Sequence, residues 1–404
     1  MKHRRFLAAL LAAAVLCPLA ALAAGEKNVD NLPTGNLEGF ESSITWFGED
    51  FAYDITDEEA CWELLQRPIT VLDVSEKEVV YPRVSPNGEK VVNEWMGGSI
   101  NGSLAAVHVL GEDEDGWTLI EGMDYYDRII RGYVKTSLLK TVTPNNKYGI
   151  IIDKLTQRLY MFIDGKLWSS CAVSTGLPNK DQPYNETAAG EYLIGSWVGG
   201  FDSEGMYCEM GIRFNGGDLL HQVPYVEFAD GTKDFGKYGS QLGRKASHGC
   251  VRVTRTANDE GLCISWLWEN LKKNTKVVVW DDDGRTLPYP DDDLEVYYNP
   301  DGGTSYHATA TCRSVRDKYL PLTAFTYGEL DSGKYASLTG CTNCIPVKRR
   351  AEIDEINQER IDLGELLKNP VYTGGATTGG GAQADGSAAS DSSEASDGVT
   401  ITIR

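Results

Sequence analysis

The sequence predicts a mainly β chain of several units: a small N-terminal β-barrel, a larger β domain with one main helix, and a small C-terminal cysteine/histidine module. Three observations point there. The 404 residues exceed what a single compact core usually organises. The 43 glycines and 20 tyrosines favour turns and strands over long helices. Apolar runs of strand length, separated by glycine and acidic turns, recur between residues 69 and 280. With 41% hydrophobic residues the chain can build real cores, and 24% charged residues is ordinary for a soluble protein.

Residues 1–24 read as a signal peptide. Lys2, Arg4 and Arg5 form a basic start, residues 6–22 are almost continuously apolar, and Ala21, Ala23 and Ala24 supply the small residues of a cleavage site. Pro18 interrupts the apolar core, which argues against a retained anchor, and Leu16 stands where a lipoprotein signal needs a small residue before Cys17. No later segment has the apolar length of a membrane-spanning helix. The expected product is secreted, in the cell wall or periplasm, with no integral membrane span after cleavage. Cleavage removes three basic and no acidic residues, taking the formal charge from −21 to −24. So acidic a chain repels phosphate backbones, and no nucleic-acid partner is expected.

Residues 25–68 form an acidic N-terminal segment with an amphipathic stretch at 57–66 that reads as a short helix. Strand-like runs fill 69–143 and suggest a small antiparallel barrel. In 147–281, residues 148–152, 158–163 and 166–174 read as strands, with Asp164–Gly165 as a hairpin turn. Residues 258–273 carry Leu262, Trp266, Leu267 and Leu271 at helical spacing, with Asn258 as cap, Asp259 and Glu260 in the first turn, and Lys272 and Lys273 in the last. Residues 276–280 read as a closing strand. An acidic linker leads to the module at 295–348 and a charged helix at 349–370. The tail at 371–404 is Gly, Ala, Ser, Thr and Asp rich and is expected to be disordered.

The chemistry concentrates in Ala246–Ser247–His248–Gly249–Cys250–Val251–Arg252–Val253. A thiol attacks as thiolate and needs a base or positive field to become one. His248 lies two residues from Cys250, Gly249 leaves room beside the sulfur, and Arg252 adds a cation. Backbone amides around Gly249 and Cys250 can form an oxyanion hole, with Ser247 beside them. Only five histidines occur in the chain, and His248 of this run is one of them.

This Ser-His-Gly-Cys-Val-Arg run resembles the signature of the L,D-transpeptidase (YkuD-like) catalytic domains. Further similarities are 159–163, the turn at 173–176 and 189–194, so the resemblance spans about 148–280, roughly a third of the chain. It implies a β-sandwich catalytic domain in which Cys250 is the nucleophile and an upstream histidine, here His221, is the base. Gln222 follows that histidine where the family often has glycine or serine, and the stretch from 221 to 247 is longer than usual. A backbone carbonyl at 222 is then the available orienting group. The implied reaction is acyl transfer on peptidoglycan stem peptides through a Cys thioester, forming 3→3 cross-links without a catalytic cofactor. The rival outcomes are an L,D-carboxypeptidase or amidase on the same thioester logic, and a degenerate wall-binding scaffold. Upstream, Gly116–Trp117–Thr118–Leu119–Ile120 and Gly132–Tyr133–Val134–Lys135 resemble the end of bacterial Src-homology-like wall-binding barrels, the rival reading being a spacer.

A second constellation comprises His307, Cys312, Cys341 and Cys344. One nitrogen and three sulfurs, two of them in C-x-x-C spacing, fill a closed tetrahedral site, which implies a structural zinc. The segment resembles small zinc-binding modules appended to other secreted bacterial proteins. A Cys341–Cys344 disulfide is the rival. Few large apolar groups stand in this segment, so some staple is expected. Pairing among Cys61, Cys171, Cys208 and Cys263 stays open.

Overall fold

The computed structural model describes residues 35–36 and 52–368, apart from 92–98, 113–114, 125–128, 181, 183–184 and 204. The signal peptide and the C-terminal tail read from the sequence lie outside these residues, as does most of the acidic segment. The described chain is mainly β, as expected, with few helices.

Its centre is a nine-stranded curled sheet. In spatial order the strands are Gly190–Leu193, Lys276–Trp280, Tyr148–Asp153, Arg158–Ile163, Lys166–Ser174, Val251–Val253, Leu219–Gln222, Met206–Arg213 and Trp197–Ser203. The Asp164–Gly165 hairpin is present, both residues at positive φ, as a two-residue turn matched to strand twist requires. The last strand of the domain, Lys276–Trp280, pairs parallel with Tyr148–Asp153. Val277 and Val279 join Ile150, Ile152, Leu159 and Met161 in the main core.

The helix expected over 258–273 is shorter, running from Ile264 to Asn270. Gly261 sits at φ +97°, which breaks a helical path. Asn258 instead caps the preceding turn, accepting from the Leu262 N–H at 2.8 Å and donating to Ser170 O at 3.0 Å. Asp259, Glu260, Lys272 and Lys273 therefore lie outside the helix.

The opposite face of the sheet is covered from upstream. Asp57 accepts from the Ala60 N–H and starts helix Glu58–Gln66, whose Cys61, Leu64 and Leu65 pack on Ile151, Phe162, Val278 and Trp280. The fully buried Lys276 ammonium donates to the Leu64 and Arg67 carbonyls, 2.8 Å each, and so closes that helix's C-terminal end. It also pairs with Glu191.

Between 69 and 142, Ile69–Leu72 pairs with Leu139–Val142, Val79–Val80 with Ile100–Asn101, and His108–Glu112, Trp117–Met123 and Ile129–Lys135 form antiparallel neighbours. They enclose one core of Leu72, Val91, Ile100, Val107, Ile120, Ile130 and Val134. Among the described residues these are separate ladders, not one continuous barrel sheet.

Near the C-terminus, Thr323–Thr326, Glu295–Tyr298, Ser305–His307 and Thr339–Gly340 form a small sheet. The expected shortage of large apolar groups is corrected here: Tyr298, Tyr306, Phe325, Tyr327, Leu330 and Leu338 build a real core, with Phe325 and Tyr335 rings stacked at 3.9 Å. The helix Arg350–Lys368 follows.

Candidate active site

The site grows out of two adjacent parallel strands. Leu219–Gln222 pairs with Val251–Val253 so that Leu220 faces Val251 and His221 faces Arg252. Extending that register by one residue sets Cys250 beside Leu219. Alternation along a strand then turns Leu219, His221, Cys250 and Arg252 to one face, with His221 diagonally across from Cys250. Phe201 joins the two, packing edge-on to the His221 ring at 5.3 Å and sharing a small cluster with Leu219, Cys208 and Cys250.

His221 is buried, and its Nδ1 lies 2.7 Å from the Gln222 carbonyl. A carbonyl only accepts, so Nδ1 carries the proton and Nε2 keeps the lone pair. The unusual Gln222 therefore orients the imidazole through its backbone. Burial pushes the His221 pKa down to about 4, with the Arg252 charge adding to the effect, so the ring is neutral near pH 7.

Burial, and next the Asp218 carboxylate, push the Cys250 thiol up to about 12, while the Leu219 amide, Arg252 and Arg213 act the other way. The resting pair is thus thiol plus neutral imidazole, with no ion pair. Asp218 is the residue the sequence reading missed. It follows a glycine turn with no motif of its own, and a Cβ at Gly249 would lie 2.7 Å from its Oδ1. Removal from water holds its carboxyl up to about 6. Neutralising it in Asp218→Asn is expected to speed alkylation of Cys250 by iodoacetamide about three- to tenfold at pH 7.5. Peptide-resolved mass spectrometry reads this directly; a slower rate would contradict the assigned sign.

The loop bearing Cys250 is pinned from several sides. The Thr187 hydroxyl donates to the Gly249 carbonyl at 2.6 Å and accepts from the Gly176 N–H at 2.8 Å. The Ala246 and Ser247 amides donate to the Thr175 carbonyl at 2.9 and 3.0 Å, and Leu177 N–H to Ser247 O at 2.9 Å. The buried Lys245 ammonium sits on Glu186 at 2.8 Å and Asp282 at 2.9 Å, beside Lys154 and Arg360. These contacts give the turn at 173–176 its physical purpose: it is the bed on which the cysteine loop lies.

The other predicted residues fall as follows. Ser247 is buried, and its hydroxyl donates to the Cys250 carbonyl, so it closes the turn. His248 is exposed on that turn, away from the buried position that His221 holds. Gly249 has φ +113°, where a side chain is strained. Gly249→Ala is expected to cost about 1–3 kcal/mol of stability, read from the urea midpoint, with a wild-type midpoint contradicting the turn's need for glycine. Arg252 donates to Gln241 Oε1 at 2.9 Å, and its guanidinium lies 5.5 Å from the Tyr238 ring centre. Both partners come from the long insertion after His221, which folds over the site's edge as the hairpin Val226–Glu227 and Lys233–Asp234 and a short helical turn.

Residues 147–279 match the YkuD family model, the L,D-transpeptidase catalytic domain. The YkuD segment is thus the nine-stranded sheet, and its matched span holds both His221 and Cys250. Among solved structures, an L,D-transpeptidase (Yku) from Stackebrandtia nassauensis is 21% identical, with 33% of this chain and 56% of that one covered, at a TM-score of 0.22. A fused Zn-dependent amidase/peptidase/peptidoglycan-binding domain-containing protein from Clostridium acetobutylicum is 18% identical over 34% of this chain and 55% of that one, TM-score 0.23. An L,D-transpeptidase from Mycobacterium tuberculosis H37Rv is 13% identical over 62% of this chain and 95% of that one, TM-score 0.26. The chain therefore spans about half the length of the first two. A search of curated proteins returns no significant match. No helix among the described residues is long and apolar enough to cross a membrane.

Proposed function

We propose that this chain is a secreted L,D-transpeptidase that forms 3→3 cross-links between peptidoglycan stem peptides, with Cys250 as nucleophile and His221 as general base. The observation that carries this is the shared face of the two strands, with the Nδ1–H of His221 committed to the Gln222 carbonyl. That bond leaves Nε2 as the one ring nitrogen able to take a proton.

In the proposed reaction Cys250 Sγ attacks the carbonyl of the L,D-peptide bond between a stem's third residue and its terminal D-alanine. Nε2 of His221 receives the thiol proton as the S–C bond forms. Backbone amides of the glycine-bearing loop face the oxyanion. The C–N bond then breaks, D-alanine leaves with the proton from His221, and a thioester remains. A side-chain amine of a second stem attacks that thioester, gives its proton to His221, and releases the thiol as the new amide forms. No metal or organic cofactor enters these steps.

Secretion rests on residues 1–24 and their basic, apolar and small-residue succession. The test is incubation of the purified enzyme with disaccharide-tetrapeptides, followed by tandem mass spectrometry. A dimer joined through two third residues, with one D-alanine released per link, is expected. Tripeptide monomer alone would reassign the chain as an L,D-carboxypeptidase, and unchanged substrate would favour the wall-binding scaffold.

A further inference from the structure

We propose that His307, Cys312, Cys341 and Cys344 hold one zinc ion in a closed tetrahedral site that ties the C-terminal module together. The site lies outside the catalytic sheet and stands independently of the transpeptidase reading. The fold brings the donors together from three places. Strand Ser305–His307 pairs parallel with Thr339–Gly340, with Tyr306 facing Gly340, so His307 and Cys341 leave adjacent strand ends side by side. The Cys341 N–H donates to the Tyr306 carbonyl at 2.9 Å and fixes that junction. Cys344 returns on a tight turn closed by the Ile345 N–H to Cys341 O bond of 3.0 Å, and Cys312 reaches in from the intervening loop.

The donor atoms all lie within 4.8 Å of one another. Zinc with Zn–S near 2.3 Å and Zn–N near 2.0 Å in a tetrahedron demands S···S edges of about 3.8 Å and S···N edges of about 3.6 Å. Cys312 Sγ and Cys341 Sγ are 3.9 Å apart, and Cys344 Sγ lies 3.7 Å from His307 Nδ1. Both edges have the length that a common ion imposes. A covalent S–S bond requires about 2.0 Å, and Cys341 and Cys344, the rival pair, are unbonded, as is Cys312.

The surroundings suit thiolates. The Ala308 N–H donates to Cys344 Sγ at 3.3 Å, the Asn343 N–H to Cys341 Sγ at 3.4 Å, and Asn343 Nδ2 to Cys312 Sγ at 3.6 Å. The Ser314 hydroxyl lies 3.2 Å from Cys312 Sγ and 3.3 Å from Cys341 Sγ. Every sulfur thus meets N–H or O–H groups that lower the electron density a bound cation must otherwise absorb. His307, Cys312 and Cys341 are buried. Four protein donors fill a tetrahedron and leave no position for water, so the ion is structural.

The test uses the full chain, expressed without added metal and purified under reducing, chelator-free conditions. Elemental analysis is expected to return about one zinc per chain, and the same in Cys250→Ala. His307→Ala and Cys344→Ser are expected to fall well below that, while His307→Cys retains zinc. Replacement of zinc by cobalt(II) is expected to give the intense visible bands of tetrahedral thiolate ligation, a readout that does not depend on any variant folding. Zinc well below one equivalent in the wild type, iron in its place, weak octahedral-type cobalt bands, or a Cys341–Cys344 disulfide in unreduced peptides would each overturn the site. Carbapenem labelling of Cys250 in the same preparation reports separately on the catalytic reading.

Discussion

Replacing Cys250 by alanine is expected to abolish the covalent carbapenem adduct and to lower transpeptidation by about 10⁴-fold or more. The size of the effect follows from the site. Cys250 sits on the strand paired with that of His221 and is part-exposed, whereas Cys208 in the same cluster is buried on a neighbouring strand. No neighbouring sulfur can substitute for it. Intact-mass measurement after incubation with the carbapenem decides the matter: an adduct that persists in Cys250→Ala, or none on the wild type, ends the assignment of the nucleophile. Fold integrity is controlled within the same sample, because the loop is held by backbone bonds to Thr175 and by Thr187, none of which involves the Cys250 side chain.

The second large effect concerns His221 and pH. His221→Ala is expected to slow acylation about 10²- to 10⁴-fold, the usual worth of a positioned general base. The wild-type profile carries a sharper signature. With the imidazole pKa pushed down to about 4, the base is unprotonated throughout the neutral range. The acid limb of kcat/KM therefore falls near pH 4, well below the usual imidazole value of about 6.5. With the thiol pushed up to about 12, no basic limb from thiol ionisation enters before pH 10. The mark of a neutral thiol–imidazole pair is a rate that is flat from about pH 7 to pH 10, rises modestly as Asp218 protonates near pH 6, and falls only near pH 4. A bell with its acid limb at about 6.5 would instead displace His221 as the base.

The readable part of this site was the part written contiguously. Ser247 to Arg252 form one loop and strand, so spacing alone placed Cys250, Gly249 and Arg252 together. His221 came only through the resemblance, which implies an upstream histidine as base; nothing in the spacing to Cys250 points to it. What adjacency in sequence does not encode is which distant turn the loop lies on. Asp218 and Thr187 approach Gly249 from two separate turns, and Glu186 and Asp282 hold Lys245 of the loop itself, yet each looks like an ordinary surface residue in the linear chain. Gln222 carried a misleading signal, since its side chain departs from the pattern while its carbonyl does the orienting. The helix is longer in the sequence than in the structure because Asn258, Asp259 and Glu260 imitate a cap and first turn, whereas Gly261 at φ +97° breaks the helical path before Ile264. The C-terminal module looks poor in apolar groups in the sequence because much of its core is tyrosine, which buries a ring while keeping a polar tip satisfied, as Tyr306 does with the Val347 carbonyl at 2.9 Å.

Helix Glu58–Gln66 lies some eighty residues ahead of the sheet it covers. A fragment begun at residue 147, where the matched segment starts, would therefore leave Ile151, Phe162, Val278 and Trp280 bare to solvent and the Lys276 ammonium with no helix end to bind. Such a recombinant piece is expected to precipitate or to be recovered as inclusion bodies, whereas one begun near residue 52 stays in the supernatant. For anyone cloning this chain, the unit of homology and the unit of independent folding start at different codons.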